Sequence, residues 1–147
     1  VLNSGVLEQK NKLFRESDFV ICSLPGTPST RHFCGSHEFA LMRPTSVFIS
    51  IGRGVCVDEA ALYKALSTPH RGPASAALDV FESEPLKEDS KLWSLGPDMF
   101  LMSSHCADFT DDYLPLTVDM FKDLLNAFSS GTSAKDLPNQ VNVSSGY

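Results

Sequence analysis

Three polar groups in this sequence come directly after short apolar runs. They are Arg53, the segment that holds Asp79 and Glu84, and His105. Short apolar runs that stop at glycine, proline or polar residues are typical of buried strands. Because the carboxyl ends of parallel strands meet at one edge of a sheet, we expect these groups to lie close together. Open α/β sheets bind their ligands at that edge.

An arginine, a carboxylate and a histidine in one place suit the reduction of a 2-keto acid. The guanidinium of Arg53 can bind a substrate carboxylate with two parallel hydrogen bonds and polarise the neighbouring carbonyl. His105 can act as general acid in reduction and as base in oxidation. A carboxylate bonded to that histidine would favour its protonated form and fix its orientation. Each residue alone also has an ordinary interpretation, as a surface ion pair, a histidine satisfied within the fold or a Glu-Pro turn.

Strands and helices alternate along the chain. Apolar runs predict strands at residues 19–24, 47–51, 74–80 and 99–102. Helical spacing predicts helices at residues 7–15, 36–43, 58–66 and 113–128. We interpret Ser36 and Asp58 as helix caps, and the first two strands as buried on both faces. Alternation of this kind predicts βαβ units, and hence an α/β fold with a doubly wound parallel sheet.

Composition argues against several classes of partner. The formal net charge is -6 and no run of lysine or arginine occurs, so we expect neither nucleic acid nor an anionic membrane as a partner. No apolar run approaches the ~18 residues of a membrane helix. The four cysteines form no C-x-x-C pair, which predicts no metal site. With no secretory leader visible, they indicate a reducing compartment, and we expect the protein to be cytoplasmic.

Four motifs occur in order along the chain. They are Leu24-Pro25 with Thr27 and Thr30, residues 48–62 around Gly-Arg-Gly, residues 77–85 with Asp-Val-Phe-Glu-Ser-Glu-Pro, and residues 104–110 around Ser-His-Cys. Together they resemble the D-isomer-specific 2-hydroxyacid dehydrogenases, which include glyoxylate/hydroxypyruvate reductases, phosphoglycerate dehydrogenase and D-lactate dehydrogenase. The resemblance extends over about residues 17–128 and implies a Rossmann-like sheet.

The resemblance also implies a role for each site residue. Arg53 matches the substrate-binding arginine and His105 the catalytic acid/base. Glu84, directly before Pro85, matches the carboxylate that supports the histidine, whereas Glu82 does not. Asp79 matches the residue that holds the nicotinamide carboxamide. The resemblance predicts that NAD or NADP is lined by Leu24, Pro25, Ile51, Gly52, Arg53, Asp79, His105 and Ala107.

The sequence departs from the family pattern in small and large ways. Gly52 stands where Ala, Ser or Thr is usual, Ser104 where Pro is usual, and Ala107 where Gly is commoner. These changes are expected to loosen the local geometry without removing a catalytic group. The Gly-x-Gly-x-x-Gly turn and most of the substrate domain would precede Val1. We therefore expect residues 1–130 to be the carboxyl-terminal part of an NAD(P)-binding domain that lacks its first βαβ unit, with residues 131–147 as a surface tail.

The sequence is thus interpreted as part of an oxidoreductase that transfers a hydride between NAD(P) and a small 2-keto or 2-hydroxy acid. The chain alone is expected to be inactive, and its uncovered apolar surface predicts a homodimer. Two alternatives stay open. One is a non-enzymatic relative, such as the transcriptional corepressors of the family. The other is a truncated half-domain that serves for interaction or dimerisation. Retention of all three catalytic residues favours the enzyme.

Overall fold

The computed structural model describes residues 4–144, and its elements alternate as the sequence predicts. The helices are α1 (Ser4–Glu16), α2 (Ser36–Leu41), α3 (Glu59–Leu66) and α4 (Tyr113–Ser129). The strands are β1 (Phe19–Cys22), β2 (Val47–Ser50), β3 (Ser75–Leu78) and β4 (Phe100–Met102). The chain forms two compact units, the first of which ends at His105 while the second begins at Cys106.

The four strands of the first unit form one parallel sheet in the order β1-β2-β3-β4. This confirms the predicted α/β class and its parallel sheet. The register aligns the carboxyl ends, since Cys22 pairs with Ser50, Ser50 with Leu78 and Leu78 with Met102. The order does not reverse among these strands, so right-handed crossovers carry every connection over the same face of the sheet. The reversal that makes a sheet doubly wound does not occur within the described residues.

The core of the first unit lies between that covered face and the helices. Phe48 of β2 meets Phe39 of α2 edge to face, with ring centroids 5.0 Å apart, and both are fully buried. Beside them, the ammonium of Lys10 on α1 lies 2.9 Å from the carboxylate of Glu38 on α2. Both charged side chains are about nine-tenths buried, and this ion pair links α1 to α2 at the edge of the core.

The opposite face of the sheet is largely bare. Phe19 and Ile21 of β1 are 65% and 59% exposed, and Leu101 of β4 is 67% exposed. The interpretation of the first two strands as buried on both faces is therefore wrong, because exposed residues alternate with buried ones in β1 and half-buried with buried ones in β2. The physical reason is the unreversed strand order, which leaves no crossover helix to cover this face.

The two predicted helix caps have different outcomes. Asp58 caps α3 as expected, since its carboxylate accepts the N–H of Ala61 at 2.9 Å. Ser36 is the first residue of α2 rather than its cap. Gly35 holds the cap position, and its N–H donates to the carboxylate of Glu38 at 3.0 Å. The carboxylate in the first turn thus takes over the bonding that a capping hydroxyl would provide.

The second unit contains the long predicted helix. α4 spans Tyr113–Ser129 and has no buried residue, and both Phe121 and Phe128 are 62% exposed. No helix within residues 4–144 is long and apolar enough to span a membrane. The expected domain boundary after residue 130 stays a prediction.

Candidate active site

Arg53 stands between two glycines that lie against neighbouring backbone. A Cβ atom on Gly52 would lie 2.5 Å from the carbonyl oxygen of Leu24, and one on Gly54 would overlap the backbone of Phe81. Only glycine fits such positions, so the segment is wedged between the loops that follow β1 and β3. The expectation that Gly52 loosens the site is therefore wrong, because the backbone of Leu24 already fills the space.

The guanidinium of Arg53 is exposed at the carboxyl end of β2. Its Nη1 donates to the carbonyl of Gly52 at 2.8 Å. Among residues 4–144 no carboxylate forms an ion pair with it. The remaining N–H donors of the guanidinium are thus available to an anion. The alternative interpretation of Arg53, as one half of a surface ion pair, finds no partner among these residues.

His105 and Glu84 form a close pair. Nδ1 of His105 lies 2.7 Å from a carboxylate oxygen of Glu84, whose other oxygen accepts the N–H of Phe81 at 3.0 Å. The hydrogen bond from His105, and then the one from Phe81, lower the pKa of Glu84. Because an ionised carboxylate only accepts hydrogen bonds, Nδ1 carries the proton and Nε2 is left to face a substrate.

Asp79 connects the end of β3 to the histidine. Its carbonyl oxygen accepts the N–H of His105 at 2.9 Å, and its side chain is 5% exposed. The hydroxyl of Ser103 donates to the carboxylate of Asp79 at 2.6 Å. Sequence reasoning missed Ser103, although the available signal was a hydroxyl two residues before His105, directly after the strand next to the one that Asp79 follows.

Glu82 does not contact His105. Its carboxylate lies 3.0 Å from Nε2 of His32 and 3.7 Å from the guanidinium of Arg31. Both partners belong to the loop that follows β1, so Glu82 ties that loop to the one that follows β3. His32 and His105 both have left-handed backbone, with φ of 50° and 54°. The geometry therefore gives each glutamate its own histidine, which the sequence spacing could not show.

The remaining predicted cofactor contacts divide between the two units. Leu24 and Pro25 follow β1, and the hydroxyl of Thr30 fixes the carbonyl of Pro25 at 2.6 Å. Ile51 follows β2, and its N–H donates to the carbonyl of Cys22 at 3.0 Å. These positions share the sheet edge with Arg53. Ala107 belongs to the second unit, so its proposed contact stays a prediction.

A cavity opens beside the His105–Glu84 pair. Its volume is about 600 Å³, and Trp93 and Met102 are among the apolar side chains that line it. Nε1 of Trp93 donates to the carbonyl of Lys87 at 2.9 Å, which fixes the indole. No cluster of three potential metal ligands occurs among the described residues. The arrangement thus offers an anion-binding cation and a hydrogen-bonded histidine at the end of one sheet.

Comparison with known proteins decides the family. Residues 3–107 match the family described as D-isomer specific 2-hydroxyacid dehydrogenase, NAD binding domain. The chain belongs to this dehydrogenase family. Glyoxylate/hydroxypyruvate reductase B of Shigella boydii is 51% identical over 84 residues, which are 56% of this chain and 25% of that protein. The glyoxylate reductase of Korarchaeum cryptofilum is 36% identical over 129 residues, which are 88% of this chain and 38% of that protein.

Solved structures of the D-isomer specific 2-hydroxyacid dehydrogenases share the fold. One from Xanthobacter autotrophicus Py2, in complex with NADPH and MES, has a TM-score of 0.77 and 33% identity, and the match covers 92% of this chain and 52% of that one. The NADPH-dependent glyoxylate/hydroxypyruvate reductase of Sinorhizobium meliloti, in complex with NADP and sulfate, has a TM-score of 0.76 and 27% identity over 95% and 43% of the two chains. The chain therefore spans about a quarter to a half of the proteins that it resembles, and its Rossmann-like class is confirmed.

Proposed function

We propose that this chain is part of an oxidoreductase that transfers a hydride between NAD(P) and a small 2-keto or 2-hydroxy acid. The main support is that the His105–Glu84 pair and the guanidinium of Arg53, which has no carboxylate partner among residues 4–144, stand at carboxyl ends of one parallel sheet. The names of the relatives, reductases of glyoxylate and hydroxypyruvate, agree with this chemistry. We expect the complete activity to belong to a longer protein, because the chain matches only part of those relatives.

The mechanism assigns one task to each side chain. Arg53 binds the substrate carboxylate, which orients the adjacent keto group toward His105. Nε2 of His105 donates a proton to the carbonyl oxygen in reduction and accepts one in oxidation. Glu84 stays ionised, so that it stabilises the imidazolium and keeps its ring in place. NAD(P)H, when bound, supplies the hydride for the keto carbon.

The strand ends fit the nicotinamide end of the cofactor. The buried carboxylate of Asp79 is held by Ser103, and a carboxylate oxygen suits the amide N–H of a carboxamide. The backbone of Leu24, Pro25 and Ile51 lies at the same edge. We infer that these groups, with Gly52 and Arg53 beside them, line NAD or NADP.

A second candidate function is that of an interaction or dimerisation module. The bare face of the sheet and the exposed apolar residues of α4 favour it, since exposed apolar surface of this kind marks interfaces. A homodimer would be compatible with either candidate. The two differ in the small-molecule chemistry, which only the dehydrogenase requires, and the retained Arg53, Glu84 and His105 favour the dehydrogenase.

The thiols bear on the location of the protein. None of Cys22, Cys34, Cys56 and Cys106 forms a disulfide with another cysteine. Free thiols persist in reducing compartments. We therefore propose a cytoplasmic location for the protein.

Two matched histidine variants test the proposed function. In the full-length protein, His105→Asn should lower kcat/KM for glyoxylate or hydroxypyruvate by roughly 10²- to 10⁴-fold, because general acid catalysis is lost. His32→Asn is the control, since His32 also pairs with a glutamate and asparagine tolerates the left-handed backbone that both histidines adopt. Its kcat/KM should stay within threefold of wild type. Equal small effects of both variants would rule out the assigned role of His105.

A further inference from the structure

The proposed reaction depends on two loops that follow different strands. Arg53 follows β2, whereas Glu84, which supports His105, follows β3. The guanidinium and the imidazole can act on one keto acid only if these loops keep a fixed separation. The side chain of Glu59, which the reaction itself does not use, connects the two loops.

Glu59 reaches from the first loop to the second. It is the first residue of α3, six residues after Arg53, and it is half-buried. Its carboxylate accepts the N–H of Glu82 at 2.6 Å. A hydrogen bond from a backbone N–H to an ionised carboxylate is about twice as strong as one between neutral groups. The start of α3 is thereby bonded to the loop that follows β3.

This bond holds one end of a single peptide group. The peptide group joins Phe81 to Glu82, and its N–H is the one that Glu59 accepts. Its carbonyl lies against Gly54, where a Cβ atom would overlap the carbonyl carbon and oxygen of Phe81. The segment around Arg53 thus fixes the carbonyl end, and α3 fixes the N–H end. With both ends held, the peptide group keeps one orientation.

The direction of Glu84 depends on that peptide group. The N–H of Phe81, which belongs to the preceding peptide group, donates to one carboxylate oxygen of Glu84 at 3.0 Å. The other oxygen lies 2.7 Å from Nδ1 of His105. Because the two neighbouring peptide groups share the Cα atom of Phe81, a rotation of one redirects the other. Glu59 therefore acts on His105 through the loop backbone and Glu84.

The side chain of Glu82 does not provide the same anchor. Its carboxylate pairs with Arg31 and His32 of the loop that follows β1. Several rotatable side-chain bonds separate these contacts from the backbone, so their loss leaves the peptide group in place. The contact that bears on Glu84 is the one made by the N–H of Glu82.

We propose that Glu59 is a positioning residue for the proposed hydride transfer. By accepting the N–H of Glu82, it keeps Glu84 against Nδ1 of His105, so that Nε2 of the ring faces the keto acid. The kinetic consequence rests on the proposed function. The structural link between Glu59 and His105 does not, and it can be measured on the 147-residue chain.

Kinetics of full-length variants on hydroxypyruvate measure the consequence. Glu59→Ala should lower kcat by roughly 10- to 100-fold, because the imidazole is no longer aligned. The KM for the keto acid should stay within twofold, since glycines hold the segment of Arg53. Glu59→Gln should keep kcat within threefold, because an amide oxygen can accept the same N–H. Glu88→Ala, at an exposed glutamate of the loop after β3, is the matched control and should equal wild type.

The kinetic outcomes separate this proposal from the proposed function. An unchanged kcat in Glu59→Ala, or an equal loss in Glu59→Gln, would overturn the assignment of Glu59. Inactivity of the wild-type full-length protein on every 2-keto acid would instead refute the proposed function, and NMR spectra of the chain would still decide the structural link.

NMR of the 147-residue chain reads the alignment of the histidine without any activity. The ¹⁵N shifts of a neutral imidazole show which ring nitrogen carries the proton. In wild type, His105 should carry it on Nδ1, toward Glu84. Glu59→Ala should move a larger fraction to the form protonated on Nε2, whereas Glu59→Gln should resemble wild type. A folded Glu59→Ala chain whose His105 keeps the wild-type shifts would contradict the link.

A titration covers the case in which Glu59→Ala does not fold. Burial raises the pKa of Glu59, although the N–H of Glu82 acts to lower it, and this places the titration nearer to neutral pH. The variant Glu82→Gln keeps that N–H and removes the adjacent carboxyl. Its amide proton at position 82 should follow the titration of the Glu59 carboxyl, recorded at the side-chain carbon. An amide proton that does not respond to this titration would overturn the proposal.

Discussion

Replacement of Arg53 by lysine probes the anion-binding role of the guanidinium. In the structure one nitrogen already donates to the carbonyl of Gly52, which fixes the fork and leaves its other donors for a carboxylate. A lysine ammonium keeps the charge but replaces two parallel hydrogen bonds by one. A hydrogen bond to a charged group contributes about 1.5–3 kcal/mol. The loss of one such bond should therefore lower kcat/KM by roughly 10- to 150-fold.

Steady-state kinetics of the full-length protein on glyoxylate and hydroxypyruvate, at saturating coenzyme, measure this loss. The coenzyme KM should change little, because the substituted side chain is proposed to hold the acid. Arg43→Lys is the matched control, since Arg43 precedes β2 at the opposite end of the strands and pairs with Asp18. Its kcat/KM should stay within twofold. An Arg53→Lys protein within threefold of wild type would refute the assignment.

Three further predictions concern the chain itself. Glu38→Gln should lower the free energy of unfolding by about 1.5–3 kcal/mol, because the bond between the two charges is lost while Lys10 keeps its bond to the carbonyl of Phe33. Burial acts to raise the pKa of Glu38, but the bonds from Lys10 and Gly35 lower it overall. In urea melts the wild-type protein should therefore lose the stability contributed by the ionised Glu38 as the pH falls below about 4, whereas Glu38→Gln should show no such loss. Asp58→Ala should cost about 1 kcal/mol in urea melts, and Asp58→Asn, which can still cap α3, less than half of that. Calorimetry should show only weak binding of NADH and NADPH, since the sequence has no Gly-x-Gly-x-x-Gly turn. Sedimentation should show a dimer that the substitution Ile21→Lys dissociates, because Ile21 lies on the exposed face of the sheet. Micromolar binding by a monomer would contradict both expectations.

The alternation of strands and helices was predictable from local sequence, because apolar runs and caps such as Asp58 depend on near neighbours. The burial of each strand was not. An apolar run has the same composition whether one face of the sheet or both faces are covered, and coverage depends on the strand order. The exposure of Phe19 and Ile21 therefore follows from topology, which appears only when the strands are assembled.

The candidate site, too, was predictable from the sequence only in part. The placement of Arg53 and His105 after strands was visible in the sequence, and the structure brings both to one edge of the sheet. Other contacts at this edge were harder to predict, since Ser103 bonds Asp79 and His32 bonds Glu82, residues that lie far apart in the sequence. Gly52 was misjudged because its packing against Leu24 depends on the approach of a separate strand.

The loop after β3 supports two histidines from positions two residues apart. Glu82 serves His32 and Glu84 serves His105, and the side chain of Ser83 between them makes neither bond. The spacing of the two glutamates is therefore constrained far more tightly than the residue type at Ser83. Substitution at Ser83 should leave both pairs in place. Deletion of Ser83 should change the spacing between the two carboxylates, so that neither keeps its hydrogen bond to its histidine. At Ser83 the side chain can therefore vary, whereas the number of residues between Glu82 and Glu84 cannot.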